Sequence, residues 1–426
     1  MGLNSIYTGI SGLNSYGTAM SVIGNNLANV NTVGYKASRV SFADILSQSL
    51  TGSSGQFQIG RGVQITSVVP QFSQGSFEST SSATDLAIDG DGFFMVRDPS
   101  GLFYTRAGQF IFNEQGDLVS PDGFALQGWR LRDGNVSDVM GNINITAISS
   151  APRVTSDVSL TINLDGAETQ PAAAWDAQDP YNTSNYSTTL TVYDTLGEGH
   201  MLTIFFRRAA AANTWEYYAL VDGNDTGAGT QYEQVGDGTL DFTGDGALNL
   251  ETVANQISVN WNNGATVPQT IDVNFGESIT EGGTGLVGTT QFAGESFTLY
   301  QTQDGYAAGN LVNISIDENG RISGLFSNGV SMEIYQIAVA GFESPWEMDM
   351  VGRNLYAATN ESGQPIIGIP GTSGLGGIAA NSLEMSNVDI ATEFVNMIRT
   401  QQAFQANSRI ITTTDQMLQE LINLKR

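Results

Sequence analysis

The sequence predicts a multi-domain chain: terminal α-helices that form a coiled-coil-like pair, plus two mainly-β domains, barrel- or sandwich-like, in a nested insertion topology. Three observations predict it. Apolar residues follow a helical spacing at the N-terminus, and others recur every seven residues near the C-terminus. Between them lie short alternating strands separated by glycine-rich turns. A chain of 426 residues with 50 glycines has room for several such domains.

The first helix is predicted from a stretch without charge, since no Asp, Glu, Lys or Arg precedes Lys36. Its apolar residues fall on alternating steps of three and four, with Gly17 and Gly24 filling two positions of the same stripe. The stripe consists of Leu3, Ile6, Ile10, Leu13, Met20 and Leu27. The opposite face is polar but uncharged, whereas a face meant for bulk water is normally charged. This composition favours contact with other protein on several sides.

The second helix is predicted between Val388 and Leu424, where neither glycine nor proline occurs. Its apolar residues recur every seven positions, at Ile390, Met397, Phe404, Ile411 and Leu418. Two interpretations are open. The helices either pack on the main body, or they pair with each other and again with neighbouring copies. On the second interpretation the two stripes are the assembly interface.

The domains between the helices are predicted to be nested, because two distant turns share one pattern. Asn113-Glu114-Gln115-Gly116 and Asp317-Glu318-Asn319-Gly320 each lie between alternating strands. We therefore expect one β domain built from two separated segments. The predicted layout is a helical domain of 1–34 and 385–426, connectors of 35–74 and 362–384, a discontinuous β domain of 75–145 and 290–361, and an inserted outer β domain of 146–289.

Charge and composition exclude several classes of partner. The net charge of −27 argues against nucleic acid and anionic membranes. Residues 146–290 carry 18 acids and three bases, a net of −15, so the acidity is concentrated in the inserted domain. No apolar run approaches 18 residues, which argues against membrane insertion. The absence of cysteine excludes disulfides, thiol catalysis and thiolate metal sites.

Candidate chemical sites are weak, and we expect no catalytic residue, metal or cofactor. Asp241–Thr252 resembles part of a calcium loop, but its twelfth position is Thr252, and a glycine turn is favoured. Asp89-Gly90-Asp91-Gly92 suits a hairpin. His200 is the only histidine and is expected to be structural, near a strand start. The five tryptophans are scattered singly and are expected to be core anchors rather than sugar platforms.

One motif resembles the signature of the bacterial flagellar rod and hook proteins. It consists of Asn25, Asn26, Leu27, Ala28, Asn29, Asn31, Thr32, Gly34, Tyr35 and Lys36. The stretches at 85–94, 104–108 and 384–389 are similar to later parts of the same family. A more specific resemblance, at 192–203, is to the inserted domain of hook proteins, although Thr195 stands where that family more usually has Ser.

The resemblance implies a structural, non-enzymatic subunit that self-assembles into a curved helical tube. Its implied partners are further copies of itself, the distal rod, the hook cap, the hook–filament junction proteins and the flagellar export apparatus. The implied location is extracellular, in the hook, reached without a cleaved signal peptide; none is visible in the sequence. The alternatives are a distal rod or hook–filament junction protein and, more remotely, a secreted acidic β-rich carbohydrate-binding protein or glycosidase.

Overall fold

The computed structural model describes residues 2–45, 48–52, 55–132, 134–146 and 148–423, and the side chains of 5–45, 60–420 and 422–423 within them. The chain divides into two units. The first contains residues 1–147, 313–325 and 331–426, and the second contains residues 148–312 and 326–330. Most elements are strands, with one long helix near each end of the chain. The predicted fold class of two helical ends and mainly-β domains is thereby confirmed.

The two long helices both belong to the first unit. Helix α1 spans Gly2–Ala28 and helix α4 spans Ile390–Asn423, and they pack against each other. Helix α1 also contacts β1 (Ser38–Asp44) and β4 (Val63–Pro70), which pair antiparallel. A segment predicted to be connector therefore holds a β-ribbon under the helix. Among the described residues, no helix is long and apolar enough to cross a membrane.

The remaining strands of the first unit form one large sheet and several two-stranded ribbons. They are β2 (Gln48–Gly52), β3 (Gly55–Ile59), β5 (Phe77–Ser79), β6 (Leu86–Asp89), β7 (Phe93–Asp98), β8 (Gly101–Thr105), β9 (Ile111–Phe112), β10 (Leu118–Val119), β11 (Ala125–Arg132), β12 (Asn135–Asn142), β24 (Arg321–Phe326), β25 (Ser331–Ile337), β26 (Val339–Gly341), β27 (Asp349–Gly352), β28 (Leu355–Ala357), β29 (Ile366–Gly368), β30 (Gly377–Ala380) and β31 (Ser382–Glu384). The large sheet includes the order β24-β25-β11-β7-β8-β28-β27, so three strands from the first half of the chain lie between strands from the second half.

The two turns that share a sequence pattern also share a structure. In each, the glycine N–H donates to the carbonyl of the first turn residue, and that residue's side chain accepts from the N–H four positions on. Gly116 and Gly320 have φ angles of +76° and +75°, a region that glycine adopts without steric cost. The pattern therefore predicted one local conformation at both sites correctly.

The prediction of a hairpin at Asp89-Gly90-Asp91-Gly92 is wrong. The turn exists, but β6 pairs with β30, whereas β7 pairs with β8, β11 and β26. The N–H of Gly376 donates to the carbonyl of Asp91 at 2.6 Å, so a distant segment fills the place that a hairpin partner would take.

The second unit is a sandwich of two open sheets with short helical turns. Its strands are β13 (Ser149–Ser150), β14 (Asp157–Asn163), β15 (Tyr186–Tyr193), β16 (Gly199–Arg208), β17 (Thr214–Asp222), β18 (Tyr232–Phe242), β19 (Leu248–Asn255), β20 (Ile257–Val259), β21 (Gln269–Asn274) and β22 (Phe297–Gln303), and β23 (Gly309–Ile316) leads out of it. The helical turns are α2 (Pro180–Thr183), α3 (Gly223–Thr226) and a 3-10 turn at Ile279–Glu281; another 3-10 turn, Pro345–Glu347, belongs to the first unit.

The sheets β15-β16-β17-β18-β19 and β20-β21-β14-β22 of the second unit enclose one apolar core. The residues of the predicted calcium-like loop form the tight turn between the antiparallel strands β18 and β19. Trp215 and Trp261 are buried in this core, as expected, whereas Trp346 of the first unit is half exposed.

The boundary predicted at residue 290 does not match the strand pairing. Strand β22 (Phe297–Gln303) pairs along its length with β14 (Asp157–Asn163), and the second unit extends to residue 312. The shift arises because β22 completes the four-stranded sheet of the sandwich, and that pairing is non-local and leaves no mark in the local alternation.

Candidate assembly site

The predicted apolar stripes lie only partly in the contact between the two helices. Ile10, Ile390 and Phe404 are exposed, at 41%, 47% and 38% of their surface. The other predicted positions with described side chains are half-buried: Ile6, Leu13, Met20, Leu27, Met397, Ile411 and Leu418. The side chain of Leu3 lies outside the described residues. Most of the predicted stripe therefore keeps apolar surface that this chain does not cover.

Small residues make the closest contact between α1 and α4. A Cβ placed on Gly12 would lie 2.6 Å from the side-chain oxygen of Asn407, and one on Gly9 would lie 2.9 Å from Ile411. Ala19 is also buried on this side of α1. The glycines let the helix backbones approach closely, so on α1 the contact follows small residues, whereas on α4 it includes Ile411 of the predicted stripe.

Helix α4 exposes further large apolar side chains. They include Phe394, Val395, Ile398, Ile410, Met417 and Ile422, each at least 44% exposed. Single exposed apolar residues are ordinary on a protein surface, but so many of them on one 34-residue helix are typical of an element that contacts other protein on several sides. These residues and the predicted stripes together form what we call the helical surface.

The asparagine-rich motif ends α1 and fixes the direction in which the chain leaves it. Asn26 is buried; its side-chain amide donates to the carbonyl of Ser38 at 2.9 Å, and its oxygen accepts from the Ser38 N–H at 2.9 Å. The hydroxyl of Tyr35 donates to the same oxygen at 3.1 Å. One side chain thus copies the pairing of a β-strand and joins the helix end to β1.

The rest of the motif closes the turn. The Asn29 side chain donates to the Asn25 carbonyl at 2.9 Å and accepts from the Thr32 hydroxyl at 3.2 Å. Ala28 and Asn31 face solvent. Gly34 has φ +69°, and a Cβ there would lie 2.4 Å from the backbone nitrogen of Ala107. Only glycine fits this position without moving the neighbouring backbone.

Lys36 completes the motif inside a buried ion triad. Its Nζ lies 2.6 Å from Glu384 Oε1 and donates to the Ser73 carbonyl at 2.8 Å. Arg106 Nη1 lies 3.3 Å from Glu384 Oε2, while Nη2 donates to the Gly90 carbonyl at 2.8 Å. We call Lys36, Arg106 and Glu384 the junction triad. It ties the N-terminal motif, the large sheet and the strand before α4 together.

The electrostatics of the junction triad follow from burial. Desolvation lowers the pKa of Lys36, and hydrogen bonding to Glu384 opposes it. Desolvation likewise lowers the pKa of Arg106, with Glu384 opposing. Both cations depend on one carboxylate, because moving a charge out of water is costly unless a partner compensates.

Several partners of the motif were not singled out from sequence as contacts. Asn387 accepts from the Ala37 N–H at 2.8 Å and donates to the Gln71 carbonyl at 2.8 Å. Asn354 donates to the Val33 carbonyl at 3.0 Å. The sequence did offer a reason to single out Lys36, since the chain has only two lysines and this one follows a stretch without charge.

Family comparisons cover both ends and both β regions of the chain. Residues 6–36 match the family described as flagella basal body rod protein, and residues 87–167 match the flagellar hook protein FlgE/F/G D1 domain. Residues 163–306 match the flagellar basal body protein FlaE D2 domain, and residues 379–424 match the flagellar basal body rod FlgEFG protein C-terminal family.

Full-length relatives agree with these matches. The flagellar hook protein FlgE of Borreliella burgdorferi is 35% identical, covering 99% of this chain and 100% of that protein. The FlgE of Treponema pallidum is 35% identical, covering 100% of both chains, and that of Escherichia coli is 32% identical, covering 98% of both. The chain therefore belongs to the flagellar hook protein family, FlgE, and is a structural subunit of the bacterial flagellar hook.

Proposed function

We propose that the helical surface binds the helices of neighbouring copies and that the resulting inner tube gives the hook its continuity. The tube is helical and curved, joins the rod to the filament, and transmits torque as a flexible coupling. The observation that carries this proposal is the number of large apolar residues that α4 leaves exposed although it packs against α1.

The physical reason is that a large part of the helical surface stays exposed in the described part of the chain. Burying a Phe, Ile or Met side chain contributes about 2 kcal/mol, so half a dozen such residues supply a substantial driving force for association. A contact between two different faces of identical subunits repeats, and if it does not close on itself it generates a helical filament. The uncharged polar face of α1 permits the same close packing.

In the proposed tube, residues 1–34 and 385–426 are the inner domain. Residues 35–74 and 362–384 connect it to a β domain around it, and the inserted β domain lies outermost. The acidity of the inserted segment supports an outer position, because a dense negative charge is best solvated at a surface. The subunit is proposed to be non-enzymatic and to leave the cell through the flagellar export apparatus, with the distal rod, hook cap and junction proteins as partners.

Polymerisation of a charged variant tests the assembly proposal. Phe404→Asp places a charge in the helical surface and is expected to abolish tubes in negative-stain micrographs. The matched control is Gln405→Asp, which adds the same charge at an adjacent exposed position of α4 outside the predicted stripe. Circular dichroism of both monomers checks that the strands remain folded. Tubes at normal yield from Phe404→Asp would refute the assignment of this surface.

A further inference from the structure

The resemblance to hook proteins at 192–203 falls on a turn of the second unit that gathers several ionisable side chains. Asp194 follows β15, His200 lies at the start of β16, and the two strands pair antiparallel. One ligand atom from each of Asp194, Glu198 and His200 lies within 4.8 Å of the others. As the only histidine, His200 was expected to be structural and no metal was predicted, because its position in one turn with two carboxylates was not taken into account.

The turn holds Asp194 in one orientation. Its Oδ1 accepts from the N–H groups of Leu196 at 2.8 Å and Glu198 at 2.9 Å. That arrangement directs Oδ2 toward His200, whose Nε2 lies 3.5 Å away. The Asn263 side chain also donates to Oδ2. The side chain of Asp194 is fully buried, so its position is fixed by these hydrogen bonds rather than by solvent.

His200 is oriented from its other nitrogen. Nδ1 lies 2.9 Å from a carboxylate oxygen of Asp225, and the ring stacks on Trp261 with 3.8 Å between centroids. When Nδ1 carries the proton and donates to Asp225, Nε2 presents its lone pair to the Asp194 carboxylate. A carboxylate behind a histidine in this way is the usual support of a metal-binding imidazole. With this tautomer, a cation between Nε2 and Oδ2 is bound by both atoms.

The distance fits such an ion. Zinc bonds of about 2.05 Å to nitrogen and about 2.1 Å to oxygen, meeting at a tetrahedral angle, separate the two ligand atoms by about 3.4 Å. The separation between His200 Nε2 and Asp194 Oδ2 is 3.5 Å. It is also longer than the 2.7–3.2 Å typical of an N–H···O hydrogen bond.

Asn263 marks where positive charge is favoured. Its amide nitrogen donates to Asp194 Oδ2 at 2.5 Å and to Glu198 Oε2 at 2.7 Å. Its own oxygen accepts from the Ala265 N–H at 3.0 Å, which fixes the orientation of the amide. Asn263 and Glu198 are exposed, so the amide can swing out and the two carboxylates can close on an ion.

We propose that Asp194, Glu198 and His200 bind a divalent transition-metal ion of the Zn²⁺ type. One imidazole nitrogen with two carboxylate oxygens suits zinc, cobalt or nickel better than calcium or magnesium, which prefer oxygen alone. Water completes the coordination. The ion links the turn between β15 and β16 and so stiffens this end of the sandwich. The site is separate from the helical surface, and its test does not depend on polymerisation.

Isothermal titration of the full-length monomer with ZnCl₂ at pH 7 tests the site. We expect the parent protein to bind one Zn²⁺ per chain. Glu198→Gln should lower the affinity for Zn²⁺ at least tenfold. Asn263→Asp should raise that affinity at least tenfold, because it adds a ligand. The matched control is Asp245→Asn, which removes an exposed carboxylate from the β18–β19 turn of the same unit and should leave the affinity unchanged.

A spectroscopic measurement separates a defined site from adsorption to an acidic surface. Co²⁺ bound in place of Zn²⁺ is expected to give a visible absorption band, lost in Glu198→Gln and kept in Asp245→Asn. Absence of binding would overturn the proposal. So would an affinity that Glu198→Gln and Asn263→Asp leave unchanged, or one that Asp245→Asn reduces as much as Glu198→Gln does.

Discussion

Lys36 and Glu384, 348 positions apart in the chain, form an ion pair of 2.6 Å in which neither side chain is exposed to solvent. Each residue stands next to the segment that leads to a terminal helix. The pair, with Arg106, therefore fixes both helices on the large sheet at one point.

Removing the carboxylate of the junction triad should destabilise the first unit strongly. Glu384→Gln keeps the shape of the side chain but removes the carboxylate that pairs with both buried cations, Lys36 and Arg106. Breaking a buried ion pair on one side costs about 3–5 kcal/mol. Denaturant unfolding of the monomer measures the loss.

The matched control for that measurement is Glu333→Gln. It breaks the pair between Arg321 and Glu333, which has the same 2.6 Å separation but is more than one third exposed on both sides. Exposed pairs contribute at most about 1 kcal/mol, so this variant should unfold close to the parent. An equal loss in the two variants would contradict the special role of the junction triad.

The helices were predictable from sequence because their periodicity is local. The helix ends, the alternating strands and the two matching turns all follow from residues within one short window. The junction triad was not predictable in this way, since Glu384 meets Lys36 only after the whole β region has folded. The same holds for the pairing of β6 with β30. On α1 the line of contact with α4 was missed because hydrophobicity marks large residues, whereas close backbone approach depends on Gly9 and Gly12. On α4, Ile411 of the predicted stripe does lie in this contact.

Two glycines of the N-terminal region should respond to substitution in opposite directions. Gly34→Ala forces a Cβ onto a backbone with φ +69° and against Ala107, so we expect a loss of at least about 2 kcal/mol. Gly24→Ala meets no atom within 4 Å and lies inside α1, so the monomer should gain up to about 1 kcal/mol. Urea unfolding of both variant monomers measures these changes in the free energy of unfolding. A Gly34→Ala variant as stable as the parent would show that the turn can relax.

The second unit should lose stability as the pH rises toward neutrality. Burial, and then the nearby charge of Glu281, raises the pKa of Glu251 to about 7, although the Phe275 N–H opposes the shift. An unfolded chain releases this proton near pH 4.5, and the folded chain holds it to about 7. The contribution of this proton to stability is therefore complete below pH 4.5, falls across pH 4.5–7, and is constant above.

Glu251→Gln removes the group that titrates and should make the stability of the second unit depend less on pH. We expect the free energy of unfolding of the variant, relative to that of the parent, to increase between pH 5 and pH 8 and to differ little at pH 4. Hydrogen exchange of the β18 and β19 amides reports on the relevant strands. Glu295→Gln, at an exposed position of the same unit, should keep the parent's profile. An unchanged profile in Glu251→Gln would remove this residue as the cause.

The helical ends should be protease-sensitive in the monomer and protected in the tube. The apolar residues of the helical surface lose their exposure only when another copy covers them, so in the monomer the helices are held mainly by their small-residue contact and the junction. Ordering the terminal segments into helices costs about 1.5 kcal/mol of conformational entropy per residue, and the contacts of a lone pair of helices barely offset this cost. We therefore expect trypsin to cut the monomer after Arg399 and Arg409 but not after the buried Lys36, and chymotrypsin to cut after Tyr7 and Phe394.

Trimming should stop where the junction begins, near residues 30 and 388, because the asparagine motif and the ion triad hold the chain there. Glu384→Gln provides the internal check, since loosening the junction should make Lys36 a tryptic site while the cuts at Arg399 and Arg409 stay. Assembled tubes should resist both proteases at all of these positions. Helices that resist equally in monomer and tube would be preformed, and assembly would then join two rigid surfaces without any folding step.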